Sequence, residues 1–245
     1  MRKLLWILGA MFMTALLSAQ TTAWIPPASV STTNDIFAIE RNPAGLAANS
    51  GLQFGLTGAF NRSLGDTSSF YISTGDDGSA TGLGIFHFND SYRYRYAGAN
   101  EIVRGSYFGY GVDFAKGIAP EISLGLIVRP ARFVSLGGTA FNLTEKNDGQ
   151  VSYRAGLALR PFGYRLTAAG DAIFNYNPLS DEYDTNWEFL LTARVVDGVT
   201  LKGFYHQTVD PADSDETFST FGLGVGVNLK HHAVEGAMEL SDDEG

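Results

Sequence analysis

Phe221-Gly222-Leu223-Gly224-Val225-Gly226-Val227-Asn228-Leu229-Lys230 reads as one β-strand with two unlike faces. Phe221, Leu223, Val225, Val227 and Leu229 recur at period two, and Gly222, Gly224, Gly226, Asn228 and Lys230 fall between them. The Gly222-x-Gly224-x-Gly226 spacing superficially suggests a dinucleotide loop. Such a loop must leave a strand and open a helix, whereas these glycines sit inside the alternation. A strand that is apolar on one side and small or polar on the other suits a wall with an apolar exterior and a crowded interior.

The same period extends through the rest of the chain. Leu52, Phe54, Leu56 and Phe60 share a face, as do Phe108, Tyr110, Val112 and Phe114. Ile122, Leu124, Leu126 and Val128 follow, then Val151, Tyr153, Leu157 and Leu159, then Trp187, Phe189, Leu191 and Val195. Less regular segments at Ser68–Thr74, Ala80–Asn89, Phe133–Leu143, Tyr164–Phe174 and Val199–Gln207 bring the count to about twelve strands. Most are near the ~9–11 residues that cross a bilayer when tilted. The stretches at 116–120, 129–131, 160–163 and 197–198 read as tight turns; 89–103, 144–149, 176–186 and 208–216 read as longer polar loops. Phe60, Tyr107, Phe133, Tyr153, Tyr164, Phe174, Trp187 and Phe204 fall near strand ends, where aromatic girdles are expected. The expected fold is all-β: an antiparallel transmembrane β-barrel of about 12–14 strands with a short N-terminal helical plug. A soluble β-sandwich also alternates, but glycine is a poor choice for a water-facing strand surface.

Ahead of the strands, residues 1–20 read as a signal peptide. Arg2 and Lys3 precede an uncharged run of 14 residues, Leu4–Leu17, and Leu17-Ser18-Ala19-Gln20 offers a cleavage point. That run is short of the ~20 residues a spanning helix needs. Residues 21–50 lack the alternation of the strand region. Pro26 and Pro27 forbid a regular helix start, Ser31–Asp35 offers capping residues, and Asp35–Arg41 and Ala44–Ala48 read as short helical turns. Asn42 before Pro43 is biased to an extended conformation, and Gly45 allows a positive φ. Residues 51–240 form the strand region, and 241–245 an acidic tail unlike a closing strand.

Ile39-Glu40-Arg41-Asn42-Pro43-Ala44-Gly45-Leu46-Ala47 resembles the Asn-Pro-Ala-Gly-Leu segment that precedes the barrel in FadL-like and PorV-like outer-membrane proteins. Arg129-Pro130 with Arg132–Gly137 resembles their mid-barrel turns. The resemblance implies outer-membrane localisation and a plug at residues 24–50 carrying Asn42, Pro43, Ala44, Gly45 and Leu46. It implies either transport of hydrophobic molecules or a secretion-associated scaffold role with an envelope or secreted protein partner. A third reading is the barrel module of a longer signal-peptide-peptidase-like protease.

The sequence has no cysteine, which excludes disulfides, thiolate metal sites and a cysteine nucleophile. A net charge of −9 argues against nucleic acid as a partner. No nucleophile elbow, phosphate loop or zinc-protease motif occurs, so neither an enzyme activity nor a cofactor is expected. Neighbouring His231 and His232 point to opposite faces, and the carboxylates around Asp181–Asp184 and Asp210–Glu216 read as solvated loops, so no metal is assigned. Tyr92, Tyr94 and Tyr96 alternate with Arg93 and Arg95. The expected arrangement is tyrosine in an interfacial girdle and arginine reaching lipid phosphates, with Arg93, Arg95, Arg154 and Arg194 as candidate lumen or interface charges. Outer-membrane lipid and a hydrophobic ligand complete the expected partners.

Overall fold

The computed structural model describes residues 28–59, 67–88, 91–116, 118–144, 151–177, 182–209, 217–229 and 232–241. The signal, Trp24, the acidic stretch 210–216 and the end of the tail lie outside them.

The described chain after residue 50 is one antiparallel meander of thirteen strands. They are β1 (Gly51–Ala59), β2 (Thr67–Asp76), β3 (Ser79–Phe88), β4 (Ser91–Val103), β5 (Ser106–Ala115), β6 (Ile118–Ala131), β7 (Val134–Phe141), β8 (Val151–Leu159), β9 (Leu166–Asn177), β10 (Glu182–Val196), β11 (Val199–Val209), β12 (Thr217–Leu229) and β13 (His232–Ser241). Each strand pairs with its sequence neighbours, and no pairing joins β1 to β13 among the described residues.

Two readings of the loops are corrected. Residues 91–103 are not a loop but a 13-residue strand, because the Tyr/Arg alternation continues through Ala97 and Ala99 and pairs with both β3 and β5. Pro120 and Pro130 do not mark turns: both lie within β6, near register shifts at Asp113/Ala115 and Val128/Ala131. At such irregularities a missing ladder donor is tolerated. With β4 restored, every described connection at one edge of the sheet is short. These are Asp77-Gly78, Arg104-Gly105, Arg132-Phe133, 160–165 and Asp197-Gly198.

Alternation sorts the side chains as expected. Leu56 is 79% exposed and Leu223 67%, and Phe54, Leu124, Tyr153, Phe189 and Phe221 share their face. The opposite face holds Ser69, Ser73, Arg95, Asp113, Ser123, Ser135 and Asp171, all buried. Of the expected girdle, Phe133, Tyr153, Tyr164 and Trp187 are exposed. Tyr107 and Phe204 are not part of it. Tyr107 is in step with Gly109 on the polar face and packs against the buried core, and Phe204 faces Gly222. Proximity to a strand end does not fix the face; the parity of the position does.

Candidate functional site: a segment seated on a glycine track

Residues 28–50 lie on the polar face and bury it. Their path is set locally. The Ser29 carbonyl accepts from the Thr32 and Thr33 amides and from the Thr33 hydroxyl at 2.7 Å. Asp35 Oδ1 accepts from the Phe37 amide at 3.0 Å, which starts helix α1 (Ala38–Arg41). This helix is shorter than the Asp35–Arg41 expected, because its opening residues form turns. Asn42 is extended, as a residue before proline prefers. Pro43 then opens a 3-10 helix, Pro43–Ala48, capped by Asn42 Oδ1 accepting from the Ala44 amide at 3.2 Å.

Gly45 does not adopt the positive φ expected of it. It is needed for proximity instead: a Cβ there would overlap the Thr33 carbonyl. The same holds along the wall. A Cβ on Gly109 would overlap the Pro43–Ala44 peptide, one on Gly125 the Asn42 side chain, and one on Gly137 the Val30 carbonyl. Gly82 and Gly156 receive Ile39 and Val30 in the same manner. The glycine-rich inner face is thus a track onto which the segment backbone is laid.

Three polar anchors fix the segment. Asn42 Nδ2 donates to the Val30 carbonyl at 2.7 Å and to the Leu126 carbonyl at 3.1 Å, joining both arms of the segment to β6. Asp171 on β9 accepts from the Ser29 hydroxyl and, at 2.8 Å, from the Val30 amide. Ser135 donates to the Ser31 carbonyl at 2.6 Å. Asn42→Leu is expected to destabilise by ~2–4 kcal/mol, since it removes several bonds and strands buried carbonyls. Chemical unfolding of the purified protein measures this, and a loss below ~1 kcal/mol would contradict the anchoring role.

Ionic contacts add two clusters. Arg95, 4% exposed in its side chain, reaches Glu40 of α1 at 3.3 Å, Asp113 at 3.2 Å and the Ser123 hydroxyl at 2.9 Å. Arg93 shares both acids, at 2.8 Å to Glu40 and 3.7 Å to Asp113, but is 44% exposed. Arg154, Arg41 and His206 converge on Glu188, the first two at 3.8 Å and His206 Nδ1 at 3.2 Å. Arg93, Arg95 and Arg154 therefore point to the segment-bearing face, with protein carboxylates as their partners. Arg194 joins neither cluster and lies exposed near the β10–β11 turn. The tyrosines of β4 point the other way and are exposed. Sequence patterning does not single out Glu40, Asp113, Asp171 or Glu188; the signal for the three on strands is a carboxylate at an inward parity.

On the apolar face, a groove of about 610 Å³ runs over β9–β13. Ala168 and Gly203 leave space, and Phe189, Tyr205, Phe221 and Leu223 line it. Compared with protein-family models, with curated proteins and with solved structures, the chain gives no significant match.

Proposed function

We propose that this chain is an outer-membrane β-barrel whose N-terminal segment plugs the interior, and that it handles hydrophobic molecules, as FadL-like and PorV-like proteins do. The observation that carries the reading is the two-faced sheet: large apolar side chains are exposed strand after strand on the face away from the segment. Soluble monomers rarely expose apolar patches beyond a few hundred Å², and a bilayer supplies the missing apolar partner. The short connections at one edge match the periplasmic turns of such barrels. The groove over β9–β13 adds an open apolar surface to the same face.

A barrel of this kind is expected in outer-membrane fractions and to migrate faster on electrophoresis before boiling than after. Recovery in the soluble fraction, with migration indifferent to heating, would overturn the proposal. A non-transporting scaffold is the second reading. It is favoured by the segment itself, which is held by buried hydrogen bonds and ion pairs rather than resting loosely. Uptake of an apolar fluorophore into vesicles carrying the protein separates the two.

A further inference from the structure

The charges on the segment-bearing face are paired near its middle, but not at the short-turn edge. Arg129 lies two residues before the end of β6, and Arg160 follows β8. Alternation puts both on the inner face, in step with Ile127 and Ala158. The Arg160 amide donates to the Phe133 carbonyl at 2.8 Å, which holds the two short turns together. Arg129 lies 5.4 Å from the Tyr107 ring centroid, and Arg160 lies 6.0 Å from that of Tyr164.

Arg160 is 8% exposed, and Arg129 Nε and Nη2 are buried with no hydrogen-bond partner. Among the described residues, no carboxylate oxygen lies within 4.0 Å of either guanidinium. Glu101, one of the acids at this edge, is turned to the Gly105 amide at 2.6 Å. Residues 1–27 contain no Asp or Glu, and residues 230 and 231 are Lys and His. Burial pushes the Arg160 guanidinium below its ordinary pKa, and the like charge of Arg129 pushes the same way.

Two adjacent cations, Arg160 buried and Arg129 enclosed at Nε and Nη2, are unfavourable without a counter-charge, because desolvation and repulsion add. The arrangement becomes favourable when an oxyanion sits between them, since guanidinium forks bind phosphate oxygens in pairs. We propose that Arg129 and Arg160 form a phosphate-binding site at the short-turn mouth of the sheet. The exposed aromatics of the same turns, Phe133, Phe162 and Tyr164, would accommodate the apolar part of an amphiphile. A phospholipid headgroup and free phosphate are the two sources of this group.

The full chain in neutral detergent is titrated with sodium phosphate against sodium chloride at matched ionic strength, following the thermal midpoint. A parallel titration compares phosphatidylglycerol with diacylglycerol of the same chains. A saturable rise is expected with a phosphate-bearing ligand. Arg129→Gln/Arg160→Gln is expected to raise the half-saturating concentration at least tenfold, and its midpoint without ligand should be no lower than that of the parent. Arg160→Lys, which keeps the charge but loses the fork, should shift the half-saturation by less. A response to phosphatidylglycerol alone identifies a headgroup site; an equal response to inorganic phosphate identifies a soluble anion. No saturable response in the parent chain, or an unchanged half-saturation in the double variant, overturns the proposal. Heat-modifiable migration is read independently, so failure of the anion site and failure of the barrel reading remain distinguishable.

Discussion

Gly109→Ala is expected to lower stability by ~3 kcal/mol or more, whereas Gly203→Ala should leave it within ~0.5 kcal/mol of the parent. The chemistry of the two changes is identical and both are in strand interiors. At Gly109 the new methyl would occupy the position of the Pro43–Ala44 peptide. That neighbour is backbone, capped by Asn42 and seated against β6, so it cannot step aside as the tip of a side chain could. Relief requires lifting the segment, with loss of the Asn42 bonds and the packing of Leu46 and Ala47. At Gly203 the nearest atom to the same methyl is Leu223 Cδ2 at 4.0 Å, an ordinary contact. Unfolding in denaturant, with protease sensitivity of residues 28–50 as a second readout, tests the pair. Equal effects at both positions would mean that the segment is not seated on the wall.

Arg95→Met should cost ~3–5 kcal/mol, and Arg93→Met ~0–1 kcal/mol. Both arginines contact Glu40 and Asp113. Arg95 is enclosed, as are the two acids, so its removal leaves buried carboxylates with one weaker partner. Arg93 is largely open to solvent, where water replaces what the guanidinium supplied. Adding Glu40→Gln and Asp113→Asn to Arg95→Met should recover much of the loss, because the uncompensated charges then disappear. Similar costs for the two single variants would show that burial does not control the strength of this cluster.

The alternation makes most of the wall legible. A single strand such as Phe221–Leu229 carries its facing in its own residues, and its neighbours repeat it. Tyr107 and Phe204 are misassigned when aromatic position along the chain is weighed above parity. Residues 91–103 are obscured by polar and charged residues that make the segment resemble a loop. Those charges are inward and satisfied by Glu40 and Asp113, which pair with them from outside the strand. Asn42-Pro43 is legible as a turn because its constraint is local. The reason for Gly45 is not, since it depends on the Thr33 carbonyl twelve residues earlier. The unpaired state of Arg129 and Arg160 likewise arises only when two distant turns are brought together.

The glycine track has a consequence for how sequence can drift. At Gly109 and Gly137 the wall meets peptide atoms of the segment, not its side chains. At these two positions the wall registers the route of the chain, whereas at Gly82, Gly125 and Gly156 it registers the side chains of Ile39, Asn42 and Val30. Substitutions that preserve the backbone path should be accepted where the segment is open, as at Asn34, and refused at its buried positions, among them Val30, Ile39, Ala44 and Leu46. The glycines opposite have no such latitude: each is a negative cast of a neighbour encoded between 43 (Gly82 and Ile39) and 126 (Gly156 and Val30) positions away. Change in this molecule should consequently be coupled, the apparently featureless glycines and the buried face of the strip that rests on them moving only together.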